Sequence, residues 1–202
     1  MFHFFAYLDR LKLIKRWGLM RNLQPENDME HSMQVAFIAH GLSIIGKTKF
    51  NRDIEPEKVV TMALYHDASE VITGDMPTPV KYMNPKLRGA YQDIEIHART
   101  QLLSLLPKDM QADFKPYISP NEDSLSWCYV KAADRISAYL KCLEEEKMGN
   151  KEFLQAKDTI FKSILEYEKV KNLPEISEFI EKFVKSYNLT PDSLSKVFNN
   201  KE

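Results

Sequence analysis

The 202-residue chain carries 28 Lys and Arg against 29 Asp and Glu, a formal net charge of -1, with 44% apolar and 28% charged residues. These proportions suit one soluble domain over residues 1–202 and exclude a disordered chain, while the balanced charge offers no footprint for a DNA or RNA polymer or an anionic membrane. With 6 Gly and 10 Pro, collagen-like, low-complexity and turn-dense all-β chains are excluded too.

The first ten residues, Met1 to Arg10, place apolar residues ahead of positive ones, the reverse of a secretory signal, and no apolar run approaches the roughly 20 residues that span a bilayer. A cytoplasmic protein is expected. His31, Val35, Ile38, Leu42 and Ile45 recur at steps of three and four, which predicts an amphipathic helix ending at Gly46. A second helix opens at Pro56, carries Val59, Val60, Ala63, Leu64 and Val71, and stops at Thr73-Gly74. Two prolines two apart in Thr73–Lys81 forbid a helix and stiffen a loop there. Asn84-Pro85 caps a third helix that runs to Pro107, and Asn121, Asp123 or Ser124 caps a fourth through Leu143, with Gly149 beyond its end.

On that fourth helix Cys128 and Cys142 lie about 21 Å apart at 1.5 Å per residue, too far to pair, and two free thiols point to a reducing compartment. The run Glu144-Glu145-Glu146-Lys147 reads as a solvated face. Stripes from Phe153 to Tyr167 and from Pro174 to Phe183 predict two more helices, and the polar tail from Pro191 predicts one turn or two. The expected fold is all-α, one helical bundle with the site within about residues 1–145 and the helices of 150–198 packed on it.

Chemistry concentrates at few positions. His66 and Asp67 are adjacent in the second helix, Glu70 follows on the same face, His31 lies on the apolar stripe of the first helix, and Asp134 interrupts the apolar run of the fourth. Taken singly, His31 reads as a hydrogen-bonded core histidine and Asp134 as half of an ion pair with Lys131 or Arg135. Taken together, buried carboxylates on inward faces of separate helices need a common cation. Two imidazoles and two carboxylates suit a first-row divalent ion such as manganese, cobalt, iron or zinc, and leave positions for water and a substrate oxygen. That is a hydrolytic geometry, in which Glu70 is a carboxylate free to move a proton.

The order His31, His66-Asp67, Asp134 resembles the H…HD…D pattern of HD-domain phosphohydrolases. The flanking stretches Arg16-Trp17, placed in an N-terminal helix, Glu30-His31-Ser32, Tyr65 to Glu70, Thr73 to Tyr82, Lys131 to Asp134 and Tyr139 to Glu145 resemble the bacterial 5'-deoxynucleotidases of the YfbR type. The resemblance implies a homodimeric cytoplasmic enzyme that removes the 5'-phosphate from deoxyribonucleoside monophosphates and spares ribonucleotides. It implies one divalent metal ion per subunit (cobalt, manganese, zinc or similar) on His31, His66, Asp67 and Asp134, with Arg16 and Glu70 as catalytic residues. It places the substrate against Arg16, Trp17, Asp75, Met76, Pro77 and Thr78, as well as against His31, Asp67 and Asp134. Asp75 either accepts from the 3'-hydroxyl or fixes the Gly74 turn as an Asx residue, and its place among prolines favours the first. The rival expectations are an HD-type hydrolase of nucleoside triphosphates or cyclic nucleotides, which the lack of a basic surplus weakens, and a non-catalytic, metal-stabilised nucleotide-binding module.

Overall fold

Helices account for every long element of the structure, a computed structural model that describes residues 1–77, 80 and 84–199. In chain order they are α1 (Phe4–Leu8), running into a 3-10 turn over Asp9–Leu13, then α2 (Asp28–Lys49), α3 (Pro56–Leu64) and α4 (Glu70–Thr73). After them come α5 (Pro85–Ser104), α6 (Lys108–Ile118), α7 (Leu125–Lys147), α8 (Leu154–Lys171), α9 (Glu175–Phe183) and α10 (Pro191–Asn199). Among the described residues the only extended pairing is an isolated antiparallel bridge between Lys15 and Asn27.

Local chemistry sets the helix starts. Asn27 accepts from the amides of Met29 and Glu30 while Glu30 reaches back to the Asn27 amide, a capping box that opens α2. Asn84 accepts from the Leu87 amide ahead of Pro85, and Ser124, of the three candidates, accepts from the Trp127 amide at the head of α7. The main core joins Val35, Ile38, Ala39 and Leu42 of α2 to Val59 and Ala63 of α3, Val130, Ala133 and Ile136 of α7, Ile164 of α8 and Ile176 of α9. A smaller cluster joins Phe4, Ala68, Leu102, Leu106 and Ile118, with Tyr65 and Phe114 against it.

Three helix expectations need correction. Gly46 lies inside α2 rather than ending it, because a Cβ there would stand 2.1 Å from Tyr129 Oη, so the glycine permits a close helix approach. The second predicted helix is broken, with α3 closing at Leu64, residues 65–69 forming overlapping i to i+3 turns, and α4 following. The chain then leaves α4 through Gly74 at φ 71°, a conformation costly for any residue with a Cβ. The tail helix α10 spans nine residues rather than a turn or two.

Glu145, expected in solvent, is fully buried. It pairs with Lys141 and accepts from the Leu23 amide at 3.0 Å, the Gln24 amide at 3.0 Å and Asn150 Nδ2 at 2.7 Å, so α7 holds the segment that leads into α2. Burial alone would raise its pKa, but Lys141, these two amides and Asn150 bring it down to about 2. Its stabilisation is therefore complete above the ordinary value of 4.5 and is lost as the pH falls from there towards 2. Glu145→Ala should cost about 3–5 kcal/mol in urea unfolding at pH 7, since Lys141 would be left buried and unpaired. The deficit should shrink at pH 3, and an equal deficit at both pH values would show that its ionisation is irrelevant to stability.

Candidate metal and catalytic site

Three segments converge where α2, α7 and the 65–69 turn meet. The turn is fixed from behind, where Tyr65 and Ala68 belong to the smaller apolar cluster and the Tyr65 ring lies 6.4 Å from that of Phe4 and 6.0 Å from that of Phe114. The intervening His66 and Asp67 therefore face α2 and α7. The ligand atoms of His31, His66 and Asp134 all lie within 4.8 Å of one another. Asp67 falls outside that mutual group, yet its Oδ2 is 3.1 Å from His66 Nε2 and 3.7 Å from His31 Nε2.

The hydrogen-bond partners of the two imidazoles fix their tautomers. His66 Nδ1 lies 2.7 Å from the Ala63 carbonyl, which can only accept, so Nδ1 carries the hydrogen and Nε2 presents a lone pair. That Nε2 is buried without a hydrogen-bond partner. Ser137 Oγ donates to Gln34 Oε1 at 2.6 Å and thus accepts from His31 Nδ1 at 3.1 Å, which leaves His31 Nε2 facing Asp134 Oδ1 at 3.2 Å. An orphaned imidazole nitrogen beside two carboxylates, each imidazole oriented through its other nitrogen, fits a divalent cation. Burial and Arg16 oppose a charge on His31, and the hydrogen bonds its ring donates to Asp134 and Glu26 outweigh them and raise its pKa. The position at Nε2 therefore attracts a positive species, whether proton or metal ion.

Around these candidate ligands lies a shell of charge. Lys131 pairs with Asp134, one of the two partners expected for it, while Arg135 donates to the Lys131 carbonyl and stacks over Tyr167. Arg16 Nη1 lies 3.3 Å from Asp67 Oδ2 and 3.5 Å from Asp28 Oδ1. Burial alone would lower the Arg16 pKa, but Asp67, Asp134, Glu26 and Glu70 raise it, so the guanidinium stays charged. Burial likewise opposes ionisation of Asp67 and Asp134, yet His66 and Arg16 hold Asp67, and Lys131 and His31 hold Asp134, below the usual carboxylate range. Glu70 behaves oppositely. Burial, followed by Asp67 and Asp28, pushes its carboxyl well above the usual range, which favours the protonated form.

Arg16 and Trp17 do not lie in a helix. The Arg16 amide bonds the Glu26 carbonyl at 3.1 Å and the Asp28 amide bonds the Ile14 carbonyl at 3.1 Å, stitching an extended N-terminal segment to the head of α2. Trp17 then turns at φ 58°, seats its ring 5.3 Å from that of Phe153, and donates through Nε1 to Glu26 Oε2 at 2.9 Å. Asp75, Met76 and Pro77 are half-buried after Gly74, and Asp75 adds negative potential at Asp28. Thr78, Pro79, Lys81 and Tyr82 lie outside the described residues.

Sequence reasoning left out Glu26, Asp28 and Ser137. Acids around a capping asparagine ordinarily offset the helix dipole from solvent, so nothing marked Asp28 as buried. Ser137 could have been found, because it stands three residues after Asp134 on the same helical face.

Comparison with known proteins fits this arrangement. Residues 3–187 match the family described as 5'-deoxynucleotidase YfbR-like. A 5'-deoxynucleotidase of Yersinia pestis strain Pestoides F is 50% identical over 200 residues, covering 96% of this chain and 98% of that one. In fold, an HD-domain phosphohydrolase from Listeria innocua superposes with a TM-score of 0.78 at 21% identity, over 99% of this chain and 98% of its own. A cyanophage S-2L HD phosphohydrolase, whose structure holds dA and one catalytic zinc ion, superposes with a TM-score of 0.63 at 19% identity, over 89% and 95% of the two chains. With its helical bundle, its converging histidines and aspartates and this extent of identity, the chain belongs to the YfbR-like 5'-deoxynucleotidase family.

Proposed function

We propose that the protein hydrolyses deoxyribonucleoside 5'-monophosphates to the deoxyribonucleoside and phosphate, in a metal-dependent reaction that discriminates against ribonucleotides. The observation that carries this reading is the convergence of His31, His66 and Asp134 beside the charged Arg16 guanidinium. His31, His66, Asp67 and Asp134 would hold one divalent ion per subunit. When bound, such an ion lowers the pKa of water towards about 7 and polarises a phosphoryl oxygen.

The chain's own groups supply the rest. Arg16 directs its planar fork at the phosphate and keeps its charge while half-buried. Glu70 holds a proton at its carboxyl and delivers it to the 5'-oxygen as the phosphorus–oxygen bond breaks, and the attacking water returns a proton to it. Trp17, fixed between Phe153 and Glu26, limits the space at the sugar. Asp75 accepts from the 3'-hydroxyl, and Met76, Pro77 and Thr78 are the further residues assigned to the substrate. Sterics is the effective discriminator here, since a deoxyribose offers nothing at 2' to bond.

Trp17→Ala should accordingly cut the preference for dAMP over AMP about tenfold or more, read as the ratio of kcat/KM values. An unchanged ratio would place the selectivity elsewhere. The reading itself is tested by assaying dAMP, dGMP, AMP, dTTP and cyclic AMP side by side with manganese, cobalt or zinc. Cleavage of the deoxynucleoside monophosphates supports it, whereas intact monophosphates with cleaved dTTP or cyclic AMP would overturn it.

The same reading includes a homodimer in the cytoplasm. Support for the first comes from Met33, Phe37 and Ile44 on one exposed face of α2, with Phe37 71% exposed. Support for the second comes from free, buried Cys128 and Cys142. Among the described residues no helix is long and apolar enough to cross a membrane.

A further inference from the structure

Lys131 stands one turn before Asp134 on α7 and pairs with it, yet its side chain is 32% exposed. The two oxygens of Asp134 are divided between partners. Oδ1 faces His31 Nε2 at 3.2 Å, within the group of converging ligand atoms, while the Lys131 ammonium donates to Oδ2. The ammonium also lies 5.9 Å from the centre of the buried Trp127 ring, one turn further back, so an aromatic face and a carboxylate hold it in place. The neighbouring cation is engaged elsewhere, since Arg135 donates to the Lys131 carbonyl at 2.7 Å and its guanidinium lies 4.1 Å from the centre of the Tyr167 ring.

A phosphate monoester carries between about one and a half and two negative charges at neutral pH. Arg16, the cation already assigned to it, is shared among three carboxylates, with Asp67 Oδ2 at 3.3 Å and Asp28 Oδ1 at 3.5 Å from Nη1, and Glu26 Oε2 at 3.9 Å from Nε. Among the described residues Lys131 forms an ion pair with Asp134 alone. An ammonium has three donors, and the exposed part of this side chain leaves room for a ligand at those that Asp134 does not use. Arg16 and Lys131 reach the site through different carboxylates, Asp67 and Asp134, whose oxygens stand 3.7 and 3.2 Å from the same His31 Nε2.

We propose that Lys131 is a second phosphate-binding residue, whose ammonium donates to a phosphate oxygen of the substrate while it stays on Asp134 Oδ2, so that Arg16 and Lys131 grip the phosphate together. The proposal rests on the phosphate-ester reading above. Lys131 exchanges no proton. It supplies a fixed positive charge and a donor on the α7 side of the site.

The test compares Lys131→Met, Lys131→Gln and Lys131→Arg with the wild type, all loaded with manganese. It reads dAMP turnover, inhibition by deoxyadenosine, calorimetric binding of inorganic phosphate, bound metal by elemental analysis, and thermal melting. Lys131→Met should weaken phosphate binding about tenfold to a hundredfold and lower kcat/KM for dAMP by a similar factor, the loss of one charged hydrogen bond. Deoxyadenosine carries no phosphate, and its inhibition should change less than about threefold. Metal content should match wild type, because Asp134 keeps Oδ1 at His31 Nε2, and the melting temperature should barely move, because a partly exposed pair contributes little. Lys131→Arg should recover most of the phosphate affinity, since charge and donors remain.

Wild-type phosphate affinity in Lys131→Met, equal weakening of phosphate and deoxyadenosine, or Lys131→Arg as impaired as Lys131→Met would each overturn the proposal. So would loss of metal from Lys131→Met, which would make Lys131 a support for Asp134 instead. Should Lys131→Met fail to fold, Lys131→Gln decides the same question. If the wild type leaves dAMP intact, the reading of the reaction falls, and phosphate calorimetry still decides the role of Lys131. Cleaved dAMP beside a Lys131→Met variant that matches wild type sinks the role of Lys131 alone.

Discussion

Asp134→Ala should abolish turnover and leave the purified protein depleted of divalent metal while its helical content stays near wild type. Asp134 Oδ1 lies 3.2 Å from His31 Nε2, nearer than Asp67 Oδ2 at 3.7 Å, and Asp134 shares the 4.8 Å group with both imidazoles. Removing it takes away one proposed ligand and the partner that draws positive charge to His31. A metal-assisted hydrolysis that loses several kcal/mol of charge stabilisation slows by roughly 10³-fold or more. The fold should survive, because the Lys131 side chain is about one-third exposed and its ammonium can turn to solvent rather than stay buried and unpaired. Elemental analysis beside far-ultraviolet circular dichroism separates the two effects. Metal content equal to wild type would refute the ligand assignment.

Glu70→Ala should give the complementary result, with metal retained and kcat reduced by roughly 10²- to 10⁴-fold. Glu70 lies outside the converging ligand group, and its carboxyl is kept protonated by burial, Asp67 and Asp28. Against their burial, Asp67 and Asp134 are instead drawn down, the first by His66 and Arg16 and the second by Lys131 and His31. The contrast between carboxyls that hold charge and one that holds a proton assigns their different work. Unchanged turnover in Glu70→Ala would remove it from the mechanism, and loss of metal in that variant would reclassify it as a ligand.

Much of this was legible in the chain because periodicity and capping agree. The stripes through His31 and Ile45, through Leu87 and Leu102, and through Leu125 and Leu143 became α2, α5 and α7. Leu143 lies four residues short of the end of α7, where the pattern turns polar. The broken second helix was illegible, since Tyr65 and Ala68 continue a helical pattern while actually packing into a different apolar cluster from Val59 and Ala63. α6 went unread because Asp109, Asp113 and Lys115 dilute its apolar face and Pro116 stands near its end. Glu145 read as solvated because its partners, the Leu23 and Gln24 amides, are over a hundred residues away in sequence. His31, His66, Asp67 and Asp134 stood out as ligand candidates because, taken together, imidazoles and carboxylates on separate inward faces call for a common partner. Arg16 and Trp17 were identified as residues but misplaced as helix, since the bridge to Asn27 that orders them leaves no pattern in a short segment.

The two imidazoles are rooted in different places, His31 in the helix that runs through the larger core and His66 in a turn whose neighbours pack into the smaller one. The smaller cluster is built from only five fully buried side chains. On heating, that patch should loosen while the rest of the bundle is still intact, and the proposed metal site spans the seam between the two clusters. Inactivation should therefore set in at a lower temperature than loss of helicity, with reactivation on cooling in the presence of added metal.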